Sequence, residues 1–172
     1  VNEFSSFARM PSPKLKEVNI SKIVTDYIKP LISSFDDVTI EIDKIIEKAF
    51  IMADEKQIRQ ACSNLIKNSY ENITLNKIPK GNISICFGIE NDFASITISD
   101  NGTGIDKSII SKILEPYYTT KVGNSGLGLA ITKKIIDDHN GIILIKPLKG
   151  SKGMSVTLKF PLISKLKKEK NK

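Results

Sequence analysis

Apolar and polar residues alternate along several short segments of the chain, and a period of two is typical of β-strands. The clearest alternation covers residues 38–42, 81–90, 93–99 and 154–160. Shorter apolar segments predict further strands at 17–20, 48–52 and 142–146. A turn at Asn91 and Asp92 joins two strands into a predicted hairpin, which places Asp100 at the end of its second strand.

Apolar residues three and four positions apart predict helices between these strands. The first helix is expected to begin after Ser21, a favourable N-cap residue, and to run to about residue 33. Further helices are predicted over 54–75, 108–114 and 126–138. Helices combined with mostly antiparallel strands predict an α+β fold, a two-layer α/β sandwich with a mixed, mostly antiparallel sheet.

The composition is that of one soluble domain. The chain has 172 residues and a formal net charge of +7, part of which lies in the basic run 165–172. A terminal basic run is usually solvated, so we expect no direct nucleic-acid partner. Cys62 and Cys86 lie in apolar contexts and are predicted to be reduced, as in the cytoplasm. No apolar segment reaches the length of a membrane span.

The long helix predicted after Asp54 carries an amide-rich stripe beside its apolar face. Asn64, Asn68, Glu71 and Asn72 share this arc at helical spacing. Because Asn is a mediocre helix former, several Asn residues on one helix face suggest a role other than helix stability. Asn68 could offer a neutral oxygen to Mg²⁺, which takes few protein ligands when phosphates supply the others. A solvated helix face is the alternative.

A first glycine cluster, D-N-G-T-G at 100–104, follows a predicted strand. A carboxylate at a strand end can accept a hydrogen bond from an exocyclic amine, which adenine has and guanine lacks at that edge. Gly102 and Gly104 would let the backbone approach a flat ring or take a positive φ. An ordinary Asp-Asn-Gly turn is the alternative interpretation.

A second glycine cluster, G-N-S-G-L-G-L at 123–129, opens the last predicted helix. Free N–H groups at a helix start are suited to phosphate oxygens, and the helix dipole adds to the attraction. The chain lacks the P-loop pattern and a dinucleotide-binding unit, so neither explains these glycines. A flexible loop whose glycines permit close helix packing remains the alternative.

Together these motifs resemble those of the catalytic and ATP-binding domain of sensor histidine kinases. N-L-I-K-N-S-Y-E-N at 64–72 resembles the N box of that family, and 100–104 resembles its G1 box. L-E-P-Y-Y-T-T-K at 114–121 resembles the F box, and S-G-L-G-L-A-I at 125–131 resembles the G2 box. The segment 1–13 is similar to the end of the dimerisation helix in nitrogen-regulation kinases of the NtrY type.

The resemblance implies a Bergerat-type fold that binds ATP and Mg²⁺. It implies that Asn68 holds the metal, that Asp100 reads the adenine amine, and that Tyr117 and Tyr118 anchor a lid. The residues it assigns to catalysis are Asn64, Lys67 and Asn68. The residues it assigns to the nucleotide are Asn68, Asn72, Asp100, Gly102, Gly104, Ile105, Tyr118, Thr119, Lys121, Ser125, Gly126, Leu127, Gly128, Leu129 and Thr157.

The reaction that the resemblance implies is transfer of the γ-phosphoryl group of ATP to a histidine on an adjoining dimerisation domain. His139, the single histidine of the chain, is predicted to be structural. We expect residues 1–14 to be the end of the dimerisation helix and linker, 15–162 the catalytic domain, and 163–172 a basic tail. The expected partner is a response regulator, and the expected parent is a membrane-anchored homodimer whose cytoplasmic fragment is a monomer.

Two other functions remain open at the level of sequence. An ATPase of the same fold would need a carboxylate to activate water one helical turn before the metal Asn. Asn64 stands at that position, and an amide is a poor base, which favours phosphotransfer. A non-catalytic nucleotide-binding module is disfavoured by the intact Asn68, Asp100 and glycines.

Overall fold

The computed structural model describes residues 10–119, 126–148 and 152–164. Its strands are β1 (Lys16–Asn19), β2 (Val38–Lys44), β3 (Phe50–Ala53), β4 (Gly81–Glu90), β5 (Phe93–Asp100), β6 (Ile142–Pro147) and β7 (Met154–Pro161). Within these residues, β1 and β3 pair in a small antiparallel sheet, and the other strands form one sheet in the order β2-β4-β5-β7-β6. The β2–β4 pair is parallel and the remaining pairs are antiparallel. The predicted mixed, mostly antiparallel sheet is therefore confirmed.

The helices form the second layer of the sandwich. In the described part of the chain they are α1 (Ile20–Ile28), α2 (Glu55–Leu75) and α3 (Gly128–Asp138). Short 3₁₀ helices cover Lys29–Ser34, Lys107–Ile109 and Lys112–Leu114. The last two replace the single short helix that was predicted over 108–114. None of the helices among the described residues is long and apolar enough to cross a bilayer.

The start and end of α1 differ from the prediction. Asn19, not Ser21, is the N-cap residue, and its side chain accepts a hydrogen bond from the backbone N–H of Lys22 at 3.3 Å. Pro30 follows the helix, and the chain continues as a 3₁₀ helix. Because proline lacks a backbone N–H, it cannot maintain the α-helical hydrogen-bond pattern. The predicted single helix is therefore two elements.

Helix α2 agrees with its prediction. The side chain of Asp54 accepts hydrogen bonds from the backbone N–H groups of Lys56 and Gln57, which caps the helix as expected. Its predicted apolar arc is buried against the sheet and consists of Ile58, Cys62, Leu65, Ser69 and Ile73. The adjoining amide stripe is left at the rim of this packed face, where it can meet a ligand.

The two faces of the large sheet have different environments. Alternate residues of β4, β5 and β7 are buried under the helices, and these are Ile83, Ile85, Phe87, Ala94, Ile96, Ile98, Val156, Leu158 and Phe160. The residues between them lie on the other face, where Thr97 Oγ1 and Thr157 Oγ1 are 2.9 Å apart and Ser99 Oγ donates to Ser155 Oγ at 3.0 Å. The strand period of two thus separates Asp100, on the helix side, from Thr157.

His139 joins the end of α3 to the start of α2. It is buried, and its Nε2 accepts a hydrogen bond from the backbone N–H of Asp54 at 3.0 Å. Since a backbone N–H can only donate, the ring proton is on Nδ1, which donates to the Ile135 carbonyl at 2.7 Å. Its burial and these two hydrogen bonds give His139 a structural role, as predicted.

Residues 1–9 and 165–172 lie outside the described residues. The predicted end of a dimerisation helix and the predicted basic tail fall mainly on these segments, so both remain predictions. Of the predicted linker, the structure describes the part that begins at Met10. There the carbonyl of Pro11 accepts a hydrogen bond from Gln57 Nε2 at 3.0 Å, and the backbone N–H of Lys14 donates to Asp54 Oδ2 at 2.9 Å.

Candidate nucleotide-binding site

Asp100 ends β5 beneath the helix layer and is only 3% exposed. Its Oδ1 accepts a hydrogen bond from the Gly102 backbone N–H at 3.0 Å, and its Oδ2 accepts one from Ser69 Oγ at 2.9 Å. The backbone of Met154 and the side chain of Asn72 lie close enough to lower the pKa of this carboxyl, although burial raises it more. Strand β7, helix α2 and the 100–104 loop therefore meet at this one side chain.

Burial raises the pKa of the Asp100 carboxyl above its ordinary value, because desolvation disfavours the charged form. The hydrogen bonds that the carboxyl accepts from Gly102 and Ser69 oppose this rise in pKa. A buried carboxyl held by these donors is oriented without being neutralised by a cation. Such a group is suited to accept a hydrogen bond from an uncharged amine.

Glycine is required where the 100–104 loop packs against its neighbours. A Cβ atom at Gly102 would lie 2.4 Å from Asn72 Nδ2. Gly104 has φ +79°, and a Cβ there would lie 3.0 Å from the Gly153 carbonyl oxygen. Gly153 has φ +139°, and its Cβ would lie 2.1 Å from the carbonyl oxygen of Asp100. The loop thus packs between α2 and the end of the β6–β7 connection, and a Cβ at Gly102, Gly104 or Gly153 would come too close to its neighbours.

The amide stripe of α2 faces the first turn of α3. Asn64 Nδ2 donates to the Gly128 carbonyl at 3.0 Å, and Thr132 Oγ1 donates to the same oxygen at 2.9 Å. Asn68 Nδ2 lies 3.8 Å from the position that a Cβ at Gly128 would take. The predicted metal ligand is therefore adjacent to the predicted phosphate-binding helix start.

The N-terminus of α3 is the second part of the candidate site. Its N-cap residue is Leu127, which makes no side-chain cap hydrogen bond, and the first turn holds no acidic residue. Backbone N–H groups at such a helix start attract phosphate oxygens, and the positive end of the helix dipole adds to this attraction. This local structure fits the role predicted for Gly128 and Leu129.

The motifs that resemble the F box and the G2 box meet at Gly126. Gly126 has φ +69°, and a Cβ there would lie 2.7 Å from the carbonyl carbon of Tyr117 and 2.8 Å from the carbonyl oxygen of Tyr118. Tyr117 itself has φ +67°, which is unusual for a bulky residue. Tyr118 packs against the hydrophobic core, whereas Tyr117 is exposed. Of the two tyrosines, Tyr118 is therefore the one whose side chain is held by the core.

The remaining predicted site residues differ in their placement. Leu127 is buried, and Ile105 and Leu129 are partly buried against the core. Thr119 and Lys67 are exposed, and Lys67 Nζ lies 3.9 Å from Glu71 Oε1 on the same helix. The predicted residues Lys121 and Ser125 lie outside the described residues.

Thr157 is not part of the site, and its prediction is wrong. It pairs with Thr97 in the β5–β7 ladder, and the two hydroxyl groups contact each other on the sheet face opposite the helices. Conversely, sequence analysis missed Gly153, whose close approach to Asp100 requires a residue without Cβ. A glycine directly before a predicted strand was the available signal, but its partner could not be known from sequence.

A family model for histidine kinase-, DNA gyrase B- and HSP90-like ATPases matches residues 53–164. The chain belongs to this family. The matched range begins just before α2 and ends beyond β7, so it contains the amide stripe, Asp100 and the start of α3. These are the elements that form the candidate site.

Similar curated proteins are sensor kinases. The putative sensor histidine kinase NtrY-like of Rickettsia conorii is 33% identical over 94% of this chain. Nitrogen regulation protein NtrY of Azorhizobium caulinodans is 32% identical over 92% of it. The chain spans only 26% and 21% of the length of these two relatives. It therefore corresponds to one part of proteins of that kind.

Solved structures share the fold. The catalytic domain of histidine kinase ThkA, in a nucleotide-free form, matches with a TM-score of 0.75 at 24% identity and covers 87% of this chain and 96% of that one. ThkA in complex with the response regulator protein TrrA matches with a TM-score of 0.77 at 21% identity, over 93% of this chain and 45% of that one. The fold is thus that of a histidine kinase catalytic domain.

Gly153→Ala should destabilise the domain, because a side chain at φ +139° is strained and its Cβ would overlap the Asp100 carbonyl. We expect a loss of about 1–3 kcal/mol in the free energy of unfolding, measured by urea denaturation. Gly88→Ala is the matched control, since its Cβ would meet only the rotatable Ser95 hydroxyl at 2.8 Å. Equal losses in the two variants would contradict the packing described for Gly153.

Proposed function

We propose that this chain binds Mg·ATP and presents the γ-phosphoryl group to a histidine, as the catalytic module of a sensor histidine kinase. The observation that carries the proposal is the buried carboxylate of Asp100, which accepts hydrogen bonds from Ser69 of helix α2 and from Gly102 of the 100–104 loop. The start of α3 is proposed as a second binding point for the same ligand. Helix α2 contacts the first point through Ser69 of its buried face and the second through Asn64 of its amide stripe.

Adenine is the base that this carboxylate fits. Its exocyclic amine can donate to Asp100, whereas guanine offers a carbonyl oxygen at the equivalent edge. A carbonyl facing a buried carboxylate would leave both acceptors without a donor, which costs more than a lost hydrogen bond in water. We therefore propose that the site selects ATP over GTP, because bound GTP would leave the Asp100 carboxylate and the guanine carbonyl without a hydrogen-bond donor.

The phosphates are assigned to the start of α3 and the metal to Asn68. Among the residues that the structure describes, no group of three or more His, Cys, Asp or Glu could hold a metal ion. Mg²⁺ needs no such cluster, because it keeps several waters and accepts phosphate oxygens. One amide oxygen of Asn68 would be sufficient for it. Bound there, Mg²⁺ would neutralise charge on the phosphates.

The other residues proposed to surround the nucleotide follow from the family motifs. Gly102 and Gly104 would lie against the base, and Gly126 and Gly128 near the phosphates. Further proposed neighbours of the nucleotide are Ile105, Tyr118, Thr119, Lys121, Ser125, Leu127 and Leu129. Lys67, exposed beside Asn68 in the sequence, is proposed as a phosphate contact.

Transfer is favoured over hydrolysis by the environment of Asn64. Hydrolysis needs a base that activates water, and an amide cannot accept a proton at neutral pH. In addition, Asn64 Nδ2 donates a hydrogen bond to the Gly128 carbonyl in the first turn of α3. We therefore propose that Asn64 positions the phosphate-binding helix and takes no part in proton transfer.

The acceptor histidine is proposed to lie outside this chain, because His139 is buried and both its ring nitrogens are hydrogen-bonded. We propose that residues 1–14 are the end of a dimerisation helix and linker that continue in a longer parent. The longer sensor kinases similar to this chain support this proposal. We also propose that the parent is a homodimer at the inner membrane. Its proposed partner is a response regulator, as the complex of ThkA with TrrA suggests by analogy.

Asp100→Asn should reduce ATP affinity by at least about a hundredfold, because the amide replaces the acceptor that reads the adenine amine. Isothermal titration calorimetry measures the affinity, and circular dichroism checks the fold. Asp106→Asn is the matched control, since Asp106 is an exposed carboxylate that only caps a 3₁₀ turn through Ser108. Unchanged ATP affinity in Asp100→Asn would show that the adenine contact is misplaced.

Asn68→Ala should remove the dependence of ATP binding on Mg²⁺, because it deletes the proposed protein ligand of the metal. We expect the ratio of dissociation constants with and without Mg²⁺ to fall to about one, as lost metal coordination is not replaced by another side chain. Gln60→Ala, an exposed position on the same helix, should leave the ratio unchanged. The same magnesium response in Asn68→Ala and the unmodified protein would refute the metal assignment.

Phosphotransfer is tested by adding the dimerisation domain of the parent protein in trans, with ATP labelled at the γ-phosphate. Label should appear on the acceptor domain, in a form that is acid-labile as expected for phosphohistidine. Release of inorganic phosphate at the same rate with and without the acceptor would instead favour the ATPase alternative.

A further inference from the structure

The predicted linker is bound to the start of α2 over residues 10–14. Its Pro11 carbonyl accepts a hydrogen bond from Gln57 Nε2 at 3.0 Å, and its Lys14 backbone N–H donates to Asp54 Oδ2 at 2.9 Å. Both hydrogen bonds join the main chain of the linker to side chains at the start of the helix. The linker is therefore docked on the same helix that contacts both parts of the candidate site.

The contact with the linker accounts for the buried amide of Gln57. Gln57 is only 6% exposed, and a buried polar group costs free energy unless it is hydrogen-bonded. Within the described part of the chain, Gln57 Oε1 has no hydrogen-bond partner, so the bond to Pro11 is the one that this amide makes. Because a carbonyl can only accept, the amide must turn its NH₂ group towards Pro11. The side chain of Gln57 therefore serves the linker.

Asp54 connects the linker to both helices of the candidate site. Its Oδ1 accepts hydrogen bonds from the N–H groups of Lys56 and Gln57 in α2. Its own backbone N–H donates to His139 Nε2 at the end of α3. Burial raises the pKa of the Asp54 carboxyl, but the backbone N–H donors outweigh burial and leave the pKa below its ordinary value. The hydrogen bond from Lys14 to Oδ2 is therefore charge-assisted.

The docked segment is also stiff. Pro11 and Pro13 each fix their own φ at about −65° and restrict the residue before them. Met10 is partly buried against the hydrophobic core. A stiff segment that is held at two points leaves the domain in a direction set by α2, the helix that also carries the proposed magnesium ligand Asn68.

We propose that the start of α2 is a docking site for the linker, where Gln57 and Asp54 are positioning residues that set the nucleotide relative to the acceptor domain of the parent chain. This inference rests on the proposed function. Holding two reactants in one relative geometry lowers the entropic cost of bringing them together. Docking should therefore speed transfer to an acceptor that is joined through the linker, and it should leave the affinity for ATP unchanged.

The test uses Gln57→Met, which keeps the length of the side chain and removes its NH₂ donor. In the whole parent kinase, this variant should lower the rate of phosphotransfer at saturating ATP about tenfold, as one hydrogen bond of docking is lost, with KM for ATP unchanged. With the acceptor domain added in trans to the isolated chain, Gln57→Met and the unmodified chain should transfer at equal rates, because the linker does not join the reactants there. Lys56→Met is the matched control, since its side chain is exposed on the same turn.

Docking itself is measured on the isolated chain by amide hydrogen exchange at Lys14. The Lys14 N–H donates to Asp54 and should be protected in the unmodified chain. In Gln57→Met it should exchange about tenfold faster, because the linker is then held by one hydrogen bond instead of two. Lys56→Met should exchange at the unmodified rate.

Each outcome decides the inference. Slower transfer in the Gln57→Met parent, with equal transfer in trans and faster exchange at Lys14, supports it. Unchanged or faster transfer in the parent, an equal loss in trans, or an unprotected Lys14 N–H in the unmodified chain overturns it and leaves the proposed function intact. Absence of ATP binding by the unmodified chain overturns the proposed function, and the inference falls with it.

Discussion

Burying a carboxylate costs several kcal/mol unless hydrogen bonds replace the water that it loses. Asp100 meets this requirement with donors from helix α2 and the 100–104 loop, which must therefore meet at its position. Gly102 donates from its backbone to the carboxylate, and Gly153 packs against the backbone carbonyl of Asp100, where a Cβ would have no space. The need to hydrogen-bond the buried Asp100 carboxylate thus determines the conformation of the 100–104 loop.

Helix α2 connects this charge with the phosphate end of the site. The face that packs on the sheet supplies Ser69 to Asp100, and the amide stripe supplies Asn64 to the first turn of α3. The N-terminus of α2 is held to the end of α3 through His139 and Asp54. The proposed base-reading carboxylate and the proposed phosphate-binding helix start are therefore both hydrogen-bonded to one helix, which would preorganise them for a single ligand.

The α+β fold, most elements and the central motifs were predictable, because periodicity, capping and glycine clusters are local signals. Asp54 as the cap of α2, and Asp100 at a strand end, are of this kind. Thr157 was assigned wrongly because the face of a strand residue depends on register, which a shift of one residue reverses. The packing of Gly153 against Asp100 joins distant elements, so the local sequence could mark the glycine but could not identify its partner.

The central claim is that Asp100 and the start of α3 form an adenine-nucleotide site. Its most direct test is calorimetric titration of the unmodified chain with ATP and with GTP, each in the presence and absence of Mg²⁺. The account predicts binding that is strengthened by Mg²⁺ and is at least about a hundredfold tighter for ATP than for GTP. Equal affinity for the two nucleotides, or binding of neither, would contradict it.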